Sequence, residues 1–291
     1  MRILVLGSNG QLGRCLFDQF RNVEDQVIYM SRLEIDIGNL EDSKRKIVNI
    51  NPNIIINAAA YTEVDQAENN KIKANLINNL AVTNIAEICL ELNCWFIHIS
   101  TDYVFDGLAT EPYQENDPTN PQGIYGVTKL NGEDGIISSG CKYLIIRTSW
   151  VFSEYGKNFM KTMLKLGSKL AKINIVGDQF GCPTYSQDIA KAIVLLTKHI
   201  DTADLESSIY HYAGDSKCSW YEFSNSIFSE AKKLGYVVPN IILPITTEEY
   251  PTLAMRPQYS VLNSKKFEKK FSIKPSNWHE GIRDVLLALD N

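Results

Sequence analysis

The sequence predicts an α/β protein built on a doubly wound parallel sheet, with a smaller domain supplied by the C-terminal part of the chain. Three observations carry this. Short apolar runs alternate with longer amphipathic segments through the first half of the chain. The apolar runs are nearly continuous, as strands covered on both faces require. A glycine cluster separates the first apolar run from the first helical segment, where such sheets turn tightly from strand into helix.

The elements follow in order. Arg2–Leu6 reads as a strand from its branched and aliphatic residues. Gln26–Met30 is a second strand, residues 53–57 a third, 95–100 a fourth and 143–147 a fifth. Between them, residues 11–21 form a helix after the first strand. Leu40–Ile50 forms the next, with Asn39 as N-cap, Glu41 and Asp42 in its first turn, and Asn51-Pro52 as its stop. Residues 71–92 read as one long helix with apolar positions at 72, 76, 80, 85, 88 and 92, and residues 125–137 as another.

The pattern loosens after Trp150. A helix near 158–170, a short strand at 173–176, a Gly/Pro-bearing loop to Tyr185 and a helix to about His199 are expected. Ile209 to Ala213 reads as one more strand returning to the sheet. The tail carries Pro239, Pro244, Pro251, Pro257 and Pro275, which suits a smaller irregular domain shaping a pocket. The predicted division is residues 1–150 with a returning segment near 186–214 for the first domain, and 151–185 with 215–291 for the second.

Composition excludes several classes. At 291 residues, 44% hydrophobic and 22% charged, the chain is globular and long enough to bury a core without staples. Twenty-nine basic against 34 acidic residues give a net charge of −5, with no basic run for nucleic acid or an anionic membrane. Six cysteines and four isolated histidines show neither zinc spacing nor a disulfide framework, so reduced, buried thiols are expected. No apolar stretch approaches the ~20 residues of a membrane span, and the first apolar run is too short for a signal peptide. A soluble, cytoplasmic protein is expected.

The glycine cluster reads Gly7-Ser8-Asn9-Gly10-Gln11-Leu12-Gly13. Glycines there allow a tight turn and close approach to a pyrophosphate, and the helix N-terminus offers unpaired N–H groups to phosphate. Glycine clusters also mark ordinary turns, so placement directly after an N-terminal strand carries the reading of a Rossmann-type NAD(P)-binding domain. The spacing is GxxGxxG, similar to the extended short-chain dehydrogenase/reductase superfamily. At the end of the second strand, Met30-Ser31-Arg32 holds no acid to grip ribose hydroxyls. Arg32 suits a 2′-phosphate, which favours NADPH with NADH as a second donor; a mere surface arginine is the competing reading. Small residues at Asn57-Ala58-Ala59-Ala60-Tyr61-Thr62 let the loop after the third strand approach the cofactor, although packing alone also explains an alanine-rich turn.

Tyr125 and Lys129 stand at i and i+4 on one helix face. A nearby cation favours the phenolate and tunes a tyrosine for proton transfer, and a lysine also suits the nicotinamide ribose. With 14 tyrosines, roughly one YxxxK is expected by chance, so position is what counts. Ser100-Thr101-Asp102-Tyr103 ends the fourth strand, at the carboxyl edge where such sheets bind ligands. Thr101 is placed to hydrogen-bond and polarise a substrate carbonyl; a simple turn hydroxyl is the bland alternative.

These residues and several longer segments resemble the dTDP-4-dehydrorhamnose reductases. The segments are STDYVFDG at 100–107, YGVTKLNGE at 125–133, RTSWVF at 147–152, NFMKTML at 158–164, VGDQFGCPTY at 176–185 and AMRPQYSVLN at 254–263. The resemblance implies NADPH-dependent reduction of the C4 ketone of dTDP-4-dehydro-L-rhamnose to dTDP-L-rhamnose, for cell-surface polysaccharide. It assigns Tyr125 as proton donor, Lys129 as its tuner and Thr101 as the carbonyl's partner. It maps Asp36, Ile37 and Ala60-Tyr61-Thr62 to cofactor contacts, and Thr101, Asp102 and Trp150 to the nucleotide sugar. Arg256 is added on chemical grounds, because guanidinium matches diphosphate geometry, against the reading of an ordinary surface arginine. Some relatives dimerise around magnesium through an acid two positions after the third glycine. Cys15 stands there, a poor ligand for a hard cation, so no metal site is expected, and either a monomer or a homodimer fits.

Two other readings compete. A reductase or epimerase for another nucleotide-linked 4-keto sugar is the nearest. Dehydratases of the superfamily follow the catalytic Thr with Asp-Glu, whereas this chain has Asp102-Tyr103. A non-catalytic NADP-binding regulatory subunit is the third, since the regulatory subunit of methionine adenosyltransferase resembles the same family. The intact Thr101, Tyr125 and Lys129 favour an enzyme.

Overall fold

The computed structural model describes residues 1–200 and 205–290. Residues 201–204, within the predicted returning segment, and residue 291, at the end of the predicted second domain, lie outside them. Six strands form the central sheet: β1 (Arg2–Leu6), β2 (Gln26–Met30), β3 (Ile54–Asn57), β4 (Trp95–Thr101), β5 (Lys142–Thr148) and β6 (Ser208–His211). Their spatial order is β6-β5-β4-β3-β1-β2, and every pairing is parallel. The chain goes one way from β1 to β2 and the other way from β1 to β3. The carboxyl end of β1 therefore lies at the reversal of strand order, where open α/β sheets bind ligands.

The apolar strands bury both faces, as their lack of alternation predicts. Ile3, Val5, Ile54, Ile56, Ile97 and Leu144 face one core, shared with Leu16 of α1 (Gln11–Gln19) and Ile189 and Ile193 of a helix at Ser186–His199. Leu4, Leu6, Ile55, Phe96 and Ile145 face the other, against Ile47 of α2 (Leu40–Ile50) and Val82 and Ile85 of α3 (Ala81–Leu92). Each fully buried aliphatic side chain stabilises the fold by ~1.5–3 kcal/mol. A further apolar core lies wholly in the later chain, around Phe152, Met160, Phe223, Ile227, Trp278 and Ile282. All six cysteines are free and buried, and Cys15, on α1, faces the sheet core.

Three elements differ from the sequence reading. The helix expected over 71–92 contains a π-helical turn at Leu76–Leu80, flanked by Lys71–Asn75 and α3. A 3.6-residue periodicity does not reveal such a turn, and π turns are frequent at functional sites. A short helix at Val64–Asn69 falls where the sequence reading names no element. The proline-bearing tail forms a strand at Ile241–Ile245, parallel to Lys172–Val176. That sheet has only two strands, and an edge tolerates Pro244 without its N–H. Among the described residues, no helix is long and apolar enough to cross a membrane.

Candidate active site

The glycine loop follows β1. Gly7 adopts φ +79°, a conformation that favours glycine, and the amides of Gly7 and Ser8 donate to the Met30 carbonyl at 2.9 and 3.2 Å. This ties the loop to the end of β2. Helix α1 starts without a side-chain cap. Among the described residues, no hydrogen bond occupies the N–H groups of Gln11, Leu12 and Gly13. Three free donors at the positive end of a helix form a phosphate-sized cradle. A Cβ on Gly13 would lie 2.3 Å from the Gly7 carbonyl, so the cradle requires glycine there. The loop therefore fits a dinucleotide. The Gln11 side chain points elsewhere, accepting from Ser153 Oγ at 3.0 Å and Asn158 Nδ2 at 2.9 Å, and so joins the loop to the later part of the chain.

At the end of β2, Arg32 is exposed and lies 3.4 Å from Asp36 Oδ2, while Asp36 Oδ1 accepts from Gly38 N. Ile37 is buried in the core. The sequence reading finds no acid at this strand end, yet the fold returns Glu34 to it: Glu34 Oε2 accepts from Ser31 N at 2.7 Å. The spacing Ser31-x-x-Glu34 is the available signal, since it matches a capping box.

The loop after β3 is clamped from two sides. Asn57 Oδ1 accepts from Ala59 N at 3.0 Å. Asn78, on the π turn, accepts from Tyr61 N at 2.8 Å and donates to Tyr61 O at 3.1 Å. Its Nδ2 also lies 3.2 Å from Thr128 Oγ1. Asn78 thus links the loop carrying Ala59, Ala60, Tyr61 and Thr62 to the helix that carries Tyr125 and Lys129.

That helix, α4 (Ile124–Ser139), runs beside β4. Thr101 ends β4; its Oγ1 donates to Asp102 Oδ1 at 3.0 Å and accepts from Tyr103 N at 3.2 Å. Tyr125 is half-buried and packs edge-on against Tyr103, ring centroids 5.4 Å apart. Burial pushes the Tyr125 phenol above its ordinary range, and a hydrogen bond with Thr101 acts the other way. Burial also pushes the Asp102 carboxyl up to about 6, against hydrogen bonds from Ser260 and Thr101. Asp102 Oδ2 is buried with no partner among the described residues.

Lys129 departs from expectation. Its Nζ donates to the Ile99 carbonyl at 2.6 Å and lies 3.0 Å from His98 Nε2. The side groups acting on the Tyr125 phenol are Thr101, Asp102 and Tyr103, not the lysine. Burial brings the ammonium down to about 8, with Glu133 opposing. The strand carbonyl, which the sequence cannot reveal, holds the group expected to tune Tyr125 through one of its donors.

Two further expected contacts are also partly committed. Trp150 stacks on Trp220 at 3.4 Å between centroids, with its backbone at φ +46°. Arg256 Nη2 pairs with Asp65 Oδ2 at 2.9 Å. Its charge is matched by a carboxylate before any diphosphate arrives. The structure also gathers residues to which the sequence reading gives no role: His98 behind Lys129, with Asn57 of the cofactor loop bonded to it, Asn78 under the loop, and Glu133 with Arg147 behind the helix. Glu133 was visible only as the last letter of YGVTKLNGE.

A family model described as "RmlD substrate binding domain" matches residues 1–291. The chain is 41% identical over 288 residues to a dTDP-4-dehydrorhamnose reductase of Aggregatibacter actinomycetemcomitans, covering 98% of each. It superposes with a TM-score of 0.92 on the crystal structure of a dTDP-4-dehydrorhamnose reductase from Clostridium acetobutylicum, at 37% identity and full coverage of both chains. A Bacillus anthracis dTDP-4-dehydrorhamnose reductase in complex with NADP gives a TM-score of 0.90 at 36% identity, covering 99% of each chain. On the whole-length match and the shared fold, the chain belongs to the RmlD substrate binding domain family.

Proposed function

We propose that this chain reduces the C4 ketone of dTDP-4-dehydro-L-rhamnose to dTDP-L-rhamnose with NADPH, in the cytoplasm, to supply cell-surface polysaccharide. The observation that carries this is the meeting of Thr101 and Tyr125 at the carboxyl edge of the sheet, with Lys129 one helical turn further along the same helix, beside a free-donor cradle at α1. The NADP complex of a relative 36% identical supports the cofactor.

The amides of Gln11, Leu12 and Gly13 would hold the pyrophosphate, Arg32 would answer the 2′-phosphate, and the Ala59–Thr62 loop would flank the cofactor. When bound, NADPH supplies the hydride to the carbonyl carbon. Thr101 Oγ1 hydrogen-bonds the carbonyl oxygen and polarises it. Tyr125 passes its phenolic proton to that oxygen as negative charge develops there. Its raised pKa keeps the proton in place at neutral pH, as an acid requires. The later apolar core around Phe152 and Trp278, with Trp150 at its edge, forms the substrate half; Asp102 Oδ2 offers the sugar a buried acceptor. The reading suits a monomer or a homodimer.

The test is NADPH oxidation with the purified chain against dTDP-, UDP- and GDP-linked 4-keto-6-deoxy sugars. Turnover with the dTDP-linked 4-keto sugar far above the others supports the proposal. Equal or better turnover of another sugar moves the assignment to a sibling reductase, and no turnover with any supports the regulatory-subunit reading.

A further inference from the structure

Behind Lys129 runs a chain of hydrogen bonds whose directions are set by its first member. Ala59 N–H donates to Asn57 Oδ1 at 3.0 Å, which fixes the orientation of the Asn57 amide. Its Nδ2 is then the atom 3.2 Å from His98 Nδ1, and an amide nitrogen can only donate. His98 Nδ1 must accept, so the proton of a neutral imidazole sits on Nε2. That atom lies 3.0 Å from Lys129 Nζ. His98 is fully buried, and burial together with Lys129 holds its pKa well below the ordinary range, so it is neutral. An ammonium has three donors and no acceptor, and would meet the Nε2–H head-on. An amine has a lone pair to accept it and still donates to the Ile99 carbonyl at 2.6 Å.

We propose that Asn57 and His98 are positioning residues that aim a proton donor at Lys129 and thereby bias it toward its uncharged amine, coupling the tautomer of His98 to the charge of Lys129. Protonating Lys129 requires His98 to move its proton to Nδ1, which forfeits the bond from Asn57. The groups facing Lys129 are Asn57 through His98 from β3, His98 and the Ile99 carbonyl from β4, and Glu133 from its own helix. Glu133 and the Ile99 carbonyl favour the cation, and Glu133 is already gripped by Arg147. Because Asn57 also holds Ala59, the loop read as the cofactor's neighbour is wired to the lysine. The catalytic meaning of the device rests on the reductase reading; the hydrogen-bond pattern does not.

The test is nitrogen-15 NMR of the imidazoles and carbon-13 NMR of the Lys129 Cε in the intact apo protein. The lysine signal is identified by its loss in Lys129→Met, and the His98 signal by its response to the same change. Above the Lys129 midpoint, the His98 proton is expected on Nε2. The midpoint itself is expected well below the ~10.4 of a free lysine. In the isosteric Asn57→Asp, a carboxylate accepts from Nδ1–H, so the His98 proton should move to Nδ1 and the lysine midpoint should rise by about one pH unit or more. A wild-type proton on Nδ1 on both sides of the lysine midpoint overturns the proposal, whether or not the variant folds. An unmoved tautomer and midpoint in folded Asn57→Asp overturn it equally. Neither readout uses substrate, so failure of the reductase assay and failure of this proposal are distinguishable.

Discussion

Arg147 on β5 grips Glu133 on α4 through contacts of 3.0 Å from Nε to Oε1 and 2.7 Å from Nη2 to Oε2, with both side chains buried. Ser100, the residue before Thr101, donates to the same carboxylate. The pair therefore fixes the helix of Tyr125 and Lys129 against the strand of Thr101. Removing one member of a buried pair strands the other's charge, at a cost of ~3–5 kcal/mol. Glu133→Ala is expected to lose stability on that scale in urea unfolding. Arg147→Met with Glu133→Met should recover much of it, because the desolvated charges are both gone. A loss within ~0.5 kcal/mol for the single variant would mean that the pair is hydrated.

The sheet was legible because each strand from β1 to β5 has a nearly continuous apolar run that both cores need, as Leu4 and Val5 show by facing opposite cores. Gly7 and Tyr125 were legible because their spacing along the chain is the spacing of the site. Asn78 and His98 were not. Each works through a contact distant in sequence, Asn78 to Tyr61 and Thr128, and His98 to Lys129. Asn78 also depends on a π turn that shifts its side chain off the helical register. The strand at Ile241–Ile245 was masked by Pro244, which only an edge position excuses.

Tyr125→Phe removes one oxygen and leaves the ring against Tyr103. General acid help of this kind is worth ~10²–10⁴ in rate, so kcat should fall by that factor with NADPH affinity little changed. Lys129→Met should weaken both turnover and NADPH binding, since it loses the proposed ribose contact as well as the buried bonds to His98 and the Ile99 carbonyl. Steady-state kinetics with a fluorescence titration of NADPH checks the split. Near wild-type turnover in folded Tyr125→Phe would move the proton donor elsewhere.

Arg32 is exposed and its partner Asp36 lies at 3.4 Å, a loose pair worth little. It is free to turn toward a 2′-phosphate. Arg32→Asp is expected to shift kcat/KM toward NADH, because an acid repels the phosphate and accepts ribose hydroxyls. Glu34, already returned to Ser31, gives that strand end a second acid and should make the shift larger. Unchanged kcat/KM for both cofactors would place Arg32 outside the cofactor's reach.

Asp102 gives a pH signature with a definite sign. Its carboxyl is buried, and burial raises its pKa from 3.8 to about 6 in the folded protein. The native state thus binds this proton more tightly than the unfolded chain does. Its contribution to stability is full below the unfolded value, and is lost as pH rises through the folded value. Above that window the buried carboxylate costs roughly 3 kcal/mol, the equivalent of the shift at about 1.4 kcal/mol per unit. Asp102→Asn has no such titration, and its amide oxygen can still accept from Thr101. The stability of Asp102→Asn relative to wild type should therefore rise by up to that amount between about pH 4 and pH 7, and stay flat on either side. Urea unfolding of both proteins across this range measures it. The comparison isolates Asp102, because other carboxylates titrate alike in both proteins and cancel. A flat difference would show that Oδ2 is not the unpartnered acceptor the geometry describes, and it would also remove the buried acceptor assigned to the sugar.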